Sequence, residues 1–185
     1  MRDLGIYALG AQLARGFISF CGALNLALQP WLYRQLGNLD GPDAIRTLVF
    51  KIAYIVTFLC IAALLFYLAL SLAVPIYFTP RYQLALVYFP WLMAAGLCEA
   101  LYAIVSGPQI FHLRKTILSL SGIFNLLCTA VLVAILARND GPVGAAMGMF
   151  FGRLIQLVLG TVMTGYTLIV NETARNSMPI SDTLK

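Results

Sequence analysis

Residues 143–170, VGAAMGMFFGRLIQLVLGTVMTGYTLIV, form the stretch that decides the fold class of this chain. The stretch is longer than the about 20 residues that an α-helix needs to cross the hydrocarbon core of a bilayer. Plotted at about 100° per residue, it has a strip of small residues, a polar strip and an apolar remainder. A helix with these three faces is typical of a cavity wall inside a membrane bundle.

The two special strips have different expected roles. Gly144, Gly148 and Gly152 form the small strip, and this spacing lets another helix approach closely. Arg153 and Gln156 lie on the polar strip beside it. We predict that the glycines pack against a neighbouring helix and that the polar strip faces a cavity.

The composition is that of an integral membrane protein. The 185 residues are 61% hydrophobic and 10% charged, with a mean hydropathy of +0.89. Soluble domains carry about 25% charged residues, so this chain has too little charge to cover a water-facing surface. The net charge of +5 comes without a basic patch interleaved with aromatics, so a nucleic-acid partner is not expected.

The apolar runs have the length of helices rather than of barrel strands, so the predicted fold is an all-α, polytopic membrane bundle. We expect residues 1–170 to form this bundle and residues 171–185 to form a polar tail. The bundle should have about five transmembrane helices, at residues 6–33, 52–74, 83–105, 117–136 and 143–170. In this scheme Pro75 closes the second helix.

Five crossings would place the two termini on opposite sides of the membrane. The side of the N-terminus then holds Arg2, Arg81 and Arg138, whereas the other side holds the larger basic group. That group consists of Arg34, Arg46, Lys51, Arg114, Lys115, Arg175 and Lys185. The excess of Lys and Arg on cytoplasmic loops therefore predicts a cytoplasmic C-terminus.

Two arginines fall inside the predicted spans, and intramembrane charges indicate functional sites by default. Arg15, with Gln12 beside it, and Arg153, with Gln156 beside it, should lie about 15 Å in from the outer face. Together they would form a cationic cavity for an anionic group such as phosphate, which arginine binds through a bidentate fork. The alternative is that each arginine bonds helix carbonyls or extends outward to the interface.

Glu99 is the third charge at membrane depth, and it should lie closer to the cytoplasm than either arginine. It could carry a proton or ion for coupled transport. It could instead pair with Lys51 or Arg114, which is the interpretation that we favour.

No motif indicates an enzyme, a metal site or a cofactor. The four cysteines, Cys21, Cys60, Cys98 and Cys128, lie in apolar runs with neither zinc nor disulfide spacing. His112 is the single histidine, and the chain has no phosphate-binding loop.

The order of several segments resembles the C-terminal part of the polysaccharide, or oligosaccharide-lipid, flippases, in the superfamily that includes multidrug extruders. The first segments are LGIYALGAQLA (4–14) and ALNLALQPWLYRQLG (23–37). The next is PIYFTPRYQLALVYFPWLMAAGLCEALYAIVSG (75–107). HLRKT (112–116) and GPVGAA (141–146) complete the resemblance.

The resemblance implies two six-helix lobes around a central cavity, of which this chain would supply helices eight to twelve. Its implied role is translocation of a polyprenyl pyrophosphate-linked oligosaccharide across the bacterial inner membrane, for surface polysaccharides such as lipopolysaccharide or exopolysaccharide. The first lobe and the seventh helix have no counterpart, so we expect a fragment, a split-gene half or a remnant that needs a partner. The alternatives are a drug or cation antiporter fragment of the same superfamily and a scaffold subunit without transport activity.

Overall fold

A computed structural model describes residues 2–37, 42–78, 80, 83, 85–111 and 115–176. These residues form five helical elements and confirm the all-α class: α1 (Arg2–Gly37), α2 (Pro42–Tyr77), α3 (Ala85–Val105), α4 (Gly107–Phe111) and α5 (Lys115–Asn176). Four of the helices are long and apolar enough to cross a membrane, rather than the five that the sequence predicted. The difference arises in α5.

The predicted fourth and fifth helices are joined in α5. Its apolar part, Ser119–Tyr166, has 48 residues. A straight helix of that length would extend about 72 Å, more than twice the roughly 30 Å thickness of the hydrocarbon core. Gly141 breaks the helix with φ 60° and ψ −139°, a conformation that glycine adopts because it has no Cβ. Pro142 follows at the start of the next helical turn, where its missing N–H is tolerated.

The two segments of α5, residues 115–140 and 142–176, fold back against each other. The glycines of the second segment meet the first segment in reverse order: Gly144 faces Leu136, Gly148 faces Val133 and Gly152 faces Thr129. A Cβ on Gly148 would lie 2.7 Å from the Val133 Cα, and one on Gly144 would collide with the Leu136 carbonyl. The glycine strip is therefore the surface through which these antiparallel segments pack.

Helix α3 lies between α1 and α5. Along α1, Ile18 packs against Gly96, and the Asn25 side-chain amide donates to the Ala100 carbonyl at 3.3 Å. The rising order of both sets of residues means that α1 and α3 run parallel. The ring of Phe66 on α2 packs against Phe17 of α1, with centroids 5.6 Å apart.

The outer surfaces of α2 and of the first segment of α5 are apolar and exposed. Leu65 and Leu72 on α2 have 61% and 70% of their surface exposed, and Leu126 on α5 has 68%. Exposed apolar faces on helices of spanning length fit contact with lipid acyl chains rather than with water.

Several element bounds differ from the predicted ones. Pro75 lies inside α2 and does not close it, since the helix ends at Tyr77. The segment between the first two helices is shorter than the predicted residues 34–51, because α1 continues to Gly37 and α2 already begins at Pro42. The helical part of α5 continues through Asn176 into the predicted tail, whereas residues 177–185 lie outside the described residues.

Candidate functional site

Arg153 is held at the junction between α3 and the second segment of α5. Its Nη2 lies 3.3 Å from the Glu99 Oε2, and its Nη1 donates to the Gln156 Oε1 at 3.0 Å. The side chains remain partly open, with 29% of Arg153 and 46% of Glu99 exposed. The guanidinium is therefore fixed by two partners while part of its surface stays accessible.

The same network continues onto the first segment of α5. The Asn125 amide donates to the Gln156 Oε1 at 2.9 Å, and the Thr129 hydroxyl donates to the Asn125 Oδ1 at 3.3 Å. Asn125 is buried, so this bond gives it a partner where water is excluded. Gln156 thus accepts from two helical segments and joins the arginine to the interior of the bundle.

Of the two predicted partners of Glu99, Lys51 was wrong. Glu99 pairs with Arg153, whereas the Lys51 Nζ donates to the Gln35 Oε1 at 3.1 Å; Arg114 lies outside the described residues. The physical reason is that sequence spacing gives approximate depth but not which helices are neighbours. The Arg153 side chain is also long enough to bridge the predicted difference in depth between Arg153 and Glu99.

Arg15 has a different environment. It is exposed, and it makes neither an ion pair nor a hydrogen bond with any residue that the structure describes. Gln12, one turn earlier, is also exposed. Phe17 contacts α2, and two residues along a helix correspond to about 200°, so Arg15 lies on the side of α1 opposite α2.

Arg15 and Arg153 lie at about the same level along α3. Ile18 is level with Gly96, so Arg15 lies about 4.5 Å further toward the start of α3. The Phe150 ring packs against Trp91. Arg153, three residues after Phe150, therefore lies about 4.5 Å from the level of Trp91 toward the end of α3. Both estimates place the arginine backbones beside the same turn of α3, near residues 92–95.

The structure brings Arg153, Glu99 and Gln156 into one cluster, and it places Arg15 and Gln12 on a separate exposed strip. A small cavity lies elsewhere, between the C-terminal half of α1, α2 and the end of α3, with Asn25, Gln29 and Ile104 in its wall. It has room for about one water molecule, far less than a sugar or pyrophosphate group needs.

A second polar cluster was not foreseen from the sequence. Gln109 on α4 is 3% exposed and donates to the Gly160 carbonyl at 3.2 Å and to the Thr164 hydroxyl at 2.8 Å. Thr164 in turn donates to the Val105 carbonyl at 2.9 Å. This cluster fastens the short helix after α3 to the second segment of α5. The available signal was a glutamine next to a Gly-Pro pair in an otherwise apolar stretch.

Among the residues that the structure describes, no group of His, Cys, Asp and Glu has the arrangement of a metal site. Cys21 and Cys98 are buried, and the described cysteines are all free thiols. His112 lies outside the described residues.

Comparisons of the chain with protein-family models, with curated proteins and with solved structures found no match.

Proposed function

We propose that this chain is a transport module, the C-terminal part of a flippase that moves lipid-linked oligosaccharide across the bacterial inner membrane for surface polysaccharide synthesis. The observation that supports it most is the pair of arginines level with one turn of α3. Arg153 is fixed by Glu99 and Gln156, and Arg15 is exposed without a described partner.

An anionic ligand accounts for Arg15, and it would bind the open part of the Arg153 guanidinium beside Glu99. A cation at membrane depth costs about 2.5–3.5 kcal/mol on insertion scales, so such residues persist where they have a role. A polyprenyl pyrophosphate carries charged oxygens that guanidinium groups bind through paired hydrogen bonds. In this proposal Arg15 and Arg153 bind the pyrophosphate, and Gln12 and Gln156 donate to neighbouring oxygens.

We further propose five membrane crossings, with the two segments of α5 crossing separately. Their antiparallel packing through Gly144, Gly148 and Gly152 supports this count. The N-terminus would then lie outside and the C-terminus in the cytoplasm, since the larger basic group lies on the C-terminal side.

The exposed strip with Gln12 and Arg15 needs a second helical surface to enclose a headgroup. We propose that this surface is another membrane-embedded lobe, whether on the same polypeptide or on a separate subunit. Enclosure between two lobes is a common way for transporters to hold a polar substrate near the bilayer midplane.

The two alternatives have less support. A drug or cation antiporter would use the half-exposed Glu99 carboxylate, but Arg153 already neutralises that charge. A scaffold subunit could bind a partner through the glycine strip, but this strip is occupied by the first segment of α5.

Photo-crosslinking tests the proposal in membranes that contain the chain. A lipid-linked oligosaccharide with a photoreactive group on the sugar next to the pyrophosphate should label residues near Arg15 and Arg153. Peptides from the exposed face of α2 around Leu65 should stay unlabelled. Labelling on the α2 face alone would indicate ordinary lipid contact and would contradict the proposal.

A further inference from the structure

Three basic residues, Arg34, Arg46 and Lys51, lie near the point where α1 ends and α2 begins. The Lys51 Nζ there donates to the Gln35 Oε1 at 3.1 Å and lies 6.0 Å from the centre of the Trp31 ring. Both partners are neutral, and no carboxylate whose side chain the structure describes forms an ion pair with Lys51. These two neutral partners hold the ammonium in place and leave it further donors.

Two further cations flank this position. Arg34 is exposed in the last turn of α1, between Trp31 and Gln35 in sequence. Arg46 is exposed at the start of α2, and its guanidinium carbon lies 5.7 Å from the centre of the Phe50 ring. Arg46 and Lys51 thus each lie beside an aromatic ring, which limits their motion without reducing their charge, and Arg34 is a further exposed cation nearby.

Lys51 also marks the edge of the apolar part of α2. The sequence from Ile52 to Tyr77 contains no charged residue, and this helix is long and apolar enough to cross a membrane. The ammonium therefore lies at the level where the hydrocarbon core meets the headgroups. Tryptophan favours the same level, because its ring is apolar and its N–H is polar.

We propose that Lys51, Trp31 and Gln35, with Arg34 beside them, form a binding site for the phosphate of an anionic membrane phospholipid. Juxtamembrane basic residues attract anionic headgroups, and basic pockets between membrane helices bind them specifically. The acyl chains of such a lipid would lie along the exposed apolar face of α2, where Tyr54 is 79% exposed and Phe58 51%. This site is separate from the arginines of the proposed transport function.

Quenching of tryptophan fluorescence tests the site. The chain has two tryptophans, of which Trp31 lies in the proposed site and Trp91 does not. The variant W91F leaves Trp31 as the single reporter, and W31F leaves Trp91, which packs against Phe150. Each variant is reconstituted in vesicles of phosphatidylcholine with brominated phosphatidylglycerol, and separately with brominated phosphatidylcholine. For Trp31 we expect quenching to indicate a preference of roughly fivefold for the anionic lipid, the effect expected of one basic residue near the surface.

Substitution of Lys51 then tests whether the preference for anionic lipid at Trp31 depends on this side chain. In the W91F background K51Q should abolish the preference, whereas R138Q, which removes an exposed cation beside the turn at Gly141, should leave it unchanged. Circular dichroism confirms that each variant folds. Equal quenching of Trp31 by the two brominated lipids, or a preference that survives K51Q, would overturn the proposal. An equal anionic preference at Trp91 would indicate general attraction of anionic lipid, which also overturns it.

Discussion

The Arg153 Nη2 lies 3.3 Å from the Glu99 Oε2, and this ion pair joins α3 to the second segment of α5. Gln156 accepts from the other terminal nitrogen of the same guanidinium. Each charge therefore depends on the other for compensation in a part of the chain that is long and apolar enough to lie in a membrane. Because of this dependence, substitutions of Arg153 and Glu99 should not have independent effects on stability.

Removal of one charge of the pair should cost more stability than removal of both. R153Q leaves Glu99 without its ion pair, and E99Q leaves Arg153 in the same state, so each should lower thermal stability in detergent. The double variant R153Q/E99Q leaves neither Arg153 nor Glu99 as an unpaired charge, so it should cost less stability than either single variant. We expect a coupling free energy of about 0.6–1.7 kcal/mol, the range typical of polar contacts between membrane helices. Strict additivity of the two single effects would mean that the pair does not form.

The glycine packing of α5 predicts that G148A destabilises the chain. An added Cβ would lie 2.7 Å from the Val133 Cα, and backbone atoms cannot yield as a flexible side chain can. Overpacking of this kind costs about 1–3 kcal/mol, so the thermal midpoint should fall. The matched control is G122A, since nothing lies within 4 Å of a Cβ at Gly122. That control should leave stability unchanged or raise it slightly, because alanine is the better helix former. Equal midpoints for G148A and G122A would contradict the packing.

Gln109 should contribute to stability despite its place on a helix of one turn. Q109A removes the donor to the Gly160 carbonyl and to the Thr164 hydroxyl in a buried position. Loss of buried hydrogen bonds of this kind costs about 1–3 kcal/mol. Q12A provides the control, because Gln12 is exposed and bonds no described residue. A midpoint shift no larger in Q109A than in Q12A would show that the cluster is not formed in the membrane.

Cysteine labelling tests the five proposed crossings and their direction. In a background without the native cysteines, R138C should react in intact cells with a thiol reagent that does not cross membranes. R34C should react after the membrane is permeabilised and not before. If α5 crossed the membrane as one span, residue 138 would lie near its middle and would stay unreactive. Labelling of both sites from the same side would contradict the proposed topology.

The sequence predicted the features that depend on local spacing. Small residues at every fourth position indicated a packing strip, and Gly144, Gly148 and Gly152 face the preceding segment of α5. The predicted helices at 117–136 and 143–170 left a link at residues 137–142, and the helix breaks within it at the single non-helical residue Gly141.

The features that depend on which helices are neighbours were not predictable in this way. Glu99 and Arg153 are distant in sequence, and hydropathy alone does not select Arg153 over Lys51 as the partner of the carboxylate. Gln109 belonged to a predicted loop, and its burial depends on how α4 packs against a segment more than fifty positions away. Both contacts result from tertiary packing, which single-sequence patterns do not encode.

The central claim is that Arg15 and Arg153 bind one anionic headgroup. The most direct measurement is the affinity of the nanodisc-embedded chain for a polyprenyl pyrophosphate-linked oligosaccharide, compared with the uncharged polyprenol of equal length. We predict preference for the pyrophosphate, weakened at least about tenfold in R15Q and in R153Q, because a charge-assisted hydrogen bond contributes about 1.5–3 kcal/mol. R138Q should bind as tightly as the unaltered chain. Equal affinity for the two lipids, or affinity unchanged in R15Q and R153Q, would contradict the claim.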